Sequence, residues 1–84
     1  MKYTVVWVPA ALMELATAWN DAGDRGEVAA ASDEIDRQLA AAPRLAGESR
    51  GGNRRILFAG PLAIDYEVVE EDRMVTVLSV WYSR

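Results

Sequence analysis

The sequence contains neither cysteine nor histidine. Without cysteine there are no disulfides and no thiolate metal sites, and nothing marks an oxidised, secreted setting. Without histidine the commonest general base at neutral pH and the commonest zinc ligand are both missing. Acid–base chemistry would then fall to carboxylates, tyrosine or an oriented arginine. No cofactor or metal is expected. Long apolar runs are lacking too. Charge and proline interrupt the N-terminal "MKYTVVWVPAALMELATAW" too early for a signal peptide or a membrane span, which predicts a cytoplasmic protein with no membrane contact. Positive charge is scarce, with 9 Lys and Arg against 13 Asp and Glu and a net charge of −4. A generic nucleic-acid binder normally shows a basic face, so the balance argues against that class.

What is there suits one small domain spanning 1–84. A chain of this size buries only about 60–65% of the surface its unfolded form exposes, so its stability alone is marginal. Charge is unevenly spread. Between Ala10 and Ala42, Glu14, Asp21, Asp24, Glu27, Asp33, Glu34 and Asp36 outnumber Arg25 and Arg37; between Pro43 and Arg55, Arg44, Arg50, Arg54 and Arg55 face Glu48 alone. An acidic helical half and a basic loop-and-strand half therefore address different partners.

"KYTVVWV" is β-branched and aromatic, so it reads as a strand, and Pro9 closes it while fitting the first turn of a helix. From Ala10 to about Asn20, Leu12, Leu15, Ala16 and Trp19 fall on one helical stripe. "NDAGDRGE" breaks the pattern with glycines and capping aspartates. A second helix runs from about Gly26 to Ala42, with Val28, Ser32, Ile35 and Leu39 on one face, and Pro43 stops it. "PRLAGESRGGN" lacks apolar periodicity and reads as a loop. "RRILFA", "LAIDYEVV" and "MVTVLSVWY" follow as three strands, joined by "GP" and "EEDR". In the middle strand Ile64, Tyr66 and Val68 alternate with Ala63, Asp65 and Glu67, one face buried and one wet. The last strand is apolar on both faces and belongs inside the sheet. The expected fold is α+β, in the order β-α-α-β-β-β, with two helices on one face of a mainly antiparallel four-stranded sheet.

That order, with "YTVVWVPAALMEL", "LAAAPRLAG", "RRILF" and above all "PLAIDYEVVEEDRMVTVLSVW", resembles the RelE/ParE superfamily of toxins from type II toxin–antitoxin modules, also called plasmid-stabilisation proteins. The resemblance implies a toxin neutralised by a cognate antitoxin, which inhibits translation by cutting mRNA on the ribosome or inhibits DNA gyrase. It also implies that a basic residue on the strand after the glycine-rich loop meets the RNA backbone, where Arg54 or Arg55 stands. Two departures weigh against a working ribosome-dependent endoribonuclease. "PLAIDY" has no arginine before Tyr66, and only Tyr82 and Arg84 stand where the nucleases place their last catalytic side chains.

Candidate site residues follow from these counterparts. Arg50, Arg55 and Arg84 converging near Tyr82 would clamp a backbone phosphate and stabilise the charge of in-line attack by a ribose 2′-hydroxyl. Arg50 and Arg54 are the RNA-binding candidates; Arg55, Tyr82 and Arg84 are the catalytic ones. The plain alternative makes these arginines solvated strand and terminal residues, or partners of Asp65 and Glu67. Trp7, Trp19 and Trp81 lie in apolar runs, which suits core or interface roles better than base stacking. Two classes of function stay open: a toxin acting on the ribosome and mRNA or on gyrase, and a non-catalytic interaction module with a toxin-like fold that has lost toxicity. Either binds an antitoxin, or a second copy of itself as a homodimer.

Overall fold

A computed structural model describes residues 2–83. The first strand, β1 (Thr4–Trp7), ends where Pro9 opens helix α1 (Pro9–Asp21). Helix α2 (Arg25–Ala41) starts on an aspartate cap, the Asp24 carboxylate accepting from the Glu27 amide at 3.1 Å. Pro43 then begins a single helical turn, α3 (Pro43–Ala46), instead of a plain loop. A two-residue strand, β2 (Glu48–Ser49), follows, and then β3 (Arg54–Ala59), β4 (Leu62–Val69) and β5 (Met74–Tyr82). The sheet therefore has five strands, in the order β1-β5-β4-β3-β2, one more than the sequence pattern marks. β2 is too short to show any periodicity. The β3-β4-β5 meander is antiparallel, and β1 lies parallel to β5, which places β5 inside the sheet as its two apolar faces require.

Both helices lie against one face of the sheet. Val28, Ala31, Ile35 and Leu39 of α2 meet Leu62, Ile64, Tyr66 and Val68 of β4 and Val75, Val77 and Val80 of β5 in one buried cluster. The inward stripe of α1 differs from the expected one: Ala11 and Ala18 are buried and Leu15 half-buried, whereas Leu12 and Trp19 are exposed. Small side chains let the helix approach the sheet closely, and Trp19 is covered from outside by the Arg25 guanidinium, 4.5 Å from its ring centre. Ala63 is also buried, although it lies on the expected wet face. It stands opposite Phe58 on one side and Trp81 on the other, two large side chains that shelter a small one.

The strand register fixes which side chains share a face. Arg55, Leu57 and Ala59 of β3 turn toward the helices, as do Trp7 of β1 and Tyr82 of β5. Arg54, Ile56 and Phe58 turn to the open face with Asp65, Glu67, Thr76, Ser79, Trp81 and Val6.

Candidate functional site

Arg54 and Arg55 are adjacent, and the pleat sends them to opposite sides of the sheet. On the open face, Arg54 donates from Nε to Asp65 Oδ1 at 3.1 Å and from Nη2 to Asp65 Oδ2, a two-pronged ion pair across β3 and β4. That hydrogen bonding, with the nearby charge of Asp65, raises the guanidinium pKa above its ordinary value. Arg54 is the one cation among the described strand residues of this face, and it is already matched. Its neighbours there are Ile56 and the exposed Phe58 and Trp81, with Glu67 alongside. This surface mixes apolar side chains with Glu67, Thr76 and Ser79, and its one strand cation is neutralised.

Arg55 is half-buried on the helix side, where its Nη2 donates to the carbonyl of Gly47 and its Nε is buried with no partner in the described structure. Opposite it on β4, the fully buried Tyr66 donates its hydroxyl to the Pro43 carbonyl at 2.7 Å. Burial raises the Tyr66 pKa, and the Arg55 guanidinium offsets part of that rise. Gly47 belongs to the same arrangement. A Cβ there would lie 2.4 Å from the Ile56 carbonyl oxygen and 2.9 Å from the Tyr66 hydroxyl, so only glycine lets α3 close onto β3. Arg55 thus ties α3 to the sheet.

The remaining candidates do not join them. Arg50 lies in the β2–β3 turn, where Gly51 and Gly52 adopt positive φ; its amide donates to the Arg54 carbonyl at 2.9 Å, and its guanidinium is exposed and donates to the Ser49 carbonyl at 3.2 Å. Tyr82 is opposite Leu62, at the far end of β4 from Tyr66. Tyr66 itself pairs with Val77, so Tyr82 stands five residues farther along β5, about 16 Å at 3.3 Å per residue. Arg84 lies outside the described residues. The structure brings Arg50 and Arg54 to one turn, holds Arg55 under α3, and leaves Tyr82 at the opposite end.

A second feature escaped the sequence reading. Between α1 and the last residues of β5 runs a groove of about 530 Å³, walled by Met13, Thr17 and Ala18 on one side and by Trp81 and Tyr82 on the other. Glu14 and Asp21 line it as well, and among the described residues no lysine or arginine does. The two acids were visible on α1, seven residues and thus about two helical turns apart. Their significance depends on β5 outrunning β1, which only the register reveals.

No protein-family model matches the chain, and no curated protein matches it. Solved structures do. The Mycobacterium tuberculosis toxin–antitoxin complex RelBE2 matches with a TM-score of 0.82 and 18% identity, over 100% of this chain and 95% of that one. The isolated E. coli RelE toxin matches at TM-score 0.66 and 21% identity, over 98% and 85%. The chromosomal ParDE system of P. aeruginosa matches at TM-score 0.63 and 17% identity, over 98% and 97%. The chain has the RelE/ParE fold. In this chain each of the two strand arginines turns to a local partner, Arg54 to Asp65 and Arg55 to Gly47. Among the described residues no three metal-ligating side chains cluster, and no helix is long and apolar enough to cross a membrane.

Proposed function

We propose that this chain is the toxin component of a type II toxin–antitoxin module, that a partner protein neutralises it, and that when free it arrests growth by binding its target rather than by cutting RNA. The fold it shares with RelBE2, RelE and ParDE supports the toxin assignment. The pairing of Arg54 with Asp65, which leaves the one strand cation of the open face matched, carries the preference for binding. Cleavage by in-line attack needs unmatched cations around one phosphate, because the charge that develops in the transition state must be met by preorganised donors. Here Arg54 is matched, Arg55 faces the helices, and Tyr82 is at the far end of the sheet. Inhibition of translation or of DNA gyrase is the expected consequence. Pulse labelling of protein synthesis and of plasmid supercoiling tells the two apart.

The test is induction with and without the product of any short open reading frame found beside this gene. The account expects growth arrest from this chain alone, rescue by the neighbour's product, and a co-purifying complex that melts higher because the partner binds only the folded state. Absence of arrest together with absence of a complex would refute it. The neutralised open face also favours one second reading, a non-catalytic interaction module that has lost toxicity, and a complex without arrest would identify it.

A further inference from the structure

β1 is only four residues long and pairs with Met74–Val77, whereas β5 continues through Leu78–Tyr82 with β4 alone beside it. The far edge of this stretch is therefore open where the groove begins. Its backbone direction is fixed by two hydrogen bonds. The Val80 amide points away from β4 and donates to Glu14 Oε1 at 2.9 Å, while the Ser83 amide turns back to the Pro61 carbonyl at 2.7 Å. Strand alternation then places the Tyr82 amide on the same outer edge as that of Val80. A side-chain carboxylate from α1 thus occupies the position that a strand carbonyl would take.

We propose that the edge of β5 at Val80 and Tyr82, with the adjoining face of α1, is a docking groove for an extended, basic segment of the neutralising partner. The identity of that partner rests on the toxin–antitoxin reading above; the groove chemistry does not. An edge with amides two residues apart is matched by the carbonyls of an added strand, which a helix cannot present because its own turns use them. The incoming carbonyl takes the Val80 amide from Glu14. The released carboxylate, together with Asp21, then needs cations, and the described lining of the groove supplies none. Glu14 and Asp21 are seven residues apart on α1, about 10 Å at 1.5 Å per residue. An extended chain covers that span in about three residues, but alternation turns residues three apart to opposite faces, so the segment carries lysine or arginine four positions apart, about 13 Å at 3.3 Å per residue, both on the α1 side. Apolar residues between them lie against Met13, Ala18 and Trp81.

Two synthetic hexapeptides provide the probe, Thr-Lys-Val-Val-Val-Lys and its counterpart with glutamate at both lysine positions, titrated into the isotope-labelled full chain. The lysine peptide should shift the Val80 and Tyr82 amide resonances, slow their hydrogen exchange, and bind at least tenfold more tightly than the glutamate peptide. Glu14→Gln with Asp21→Asn keeps the Val80 acceptor while removing both charges, and should weaken binding tenfold or more. Asp33→Asn with Asp72→Asn makes the same charge change at exposed positions elsewhere and should leave binding within twofold. Equal loss in both double variants, shifts that map to another surface, a peptide that becomes helical on binding, self-association through this edge, or no binding by either peptide would overturn the proposal. If the neighbouring gene's product still binds the Glu14→Gln/Asp21→Asn chain, the groove assignment falls and the toxin–antitoxin reading stands. If that product never binds while the lysine peptide does, the reverse holds.

Discussion

The two ends of the sheet treat their polar groups in opposite ways. At the end where α3 and the β4–β5 turn meet, the chain supplies its own partners. Tyr66 donates to Pro43, Arg55 donates to Gly47, and Glu70 accepts from both Tyr3 and Arg44, the latter at 2.8 Å. Arg73, at the left-handed φ of 50° in that turn, lies 5.2 Å over the Tyr3 ring. At the other end β5 outruns β1, its edge is held by a single carboxylate, and Met13, Trp81 and Tyr82 stay exposed. The first end locks the fold, and the second is left for something else. Substitutions at the first should cost stability, and those at the second should cost partner binding.

The sharpest test of that contrast is Gly47→Ala. The added methyl meets backbone rather than a movable side chain, and the overpacking should cost about 3 kcal/mol, seen as a lower denaturant midpoint. A change below about 0.5 kcal/mol would mean that α3 is not locked. Tyr66→Phe comes next. It leaves a buried aromatic in place and removes only the donor to Pro43, so a loss of about 1–2 kcal/mol is expected with the slope of the unfolding curve unchanged.

A smaller effect involves Glu70, whose pKa is lowered first by the hydrogen bond from Tyr3 and then by that from Arg44. A carboxylate depressed in the folded state adds stability above its unfolded pKa of about 4.3, and this is lost as pH falls below that toward the lowered folded value. Glu70→Gln should flatten the fall in stability over that acid range by lowering the plateau above it toward the acid value; an identical acid limb in both proteins would contradict this. The smallest effect is expected at the open end. Met13→Ser changes an exposed side chain and should alter stability by less than about 0.5 kcal/mol, while measurably weakening the complex with the partner.

The β3-β4-β5 meander was readable in the sequence because its apolar alternation has period two and its turns carry glycine, proline and charge. The face of α1 was not. Leu12 and Trp19 fit the apolar stripe as well as Ala11 and Ala18 do, and the choice was made by how closely the helix must approach β5. α3 and β2 are shorter than any period that could announce them. The arginines show the same limit. Sequence spacing put Arg54 and Arg55 on opposite faces, but which one would meet Asp65 and which would be held under α3 depended on tertiary register.

Mapping new mRNA 5′ ends in cells after induction separates the proposed action by binding from action by cleavage. The account predicts growth arrest with no codon-phased ends above the uninduced background. Dense codon-phased ends that appear on induction and disappear in Arg55→Ala, in a variant shown to remain folded, would contradict it.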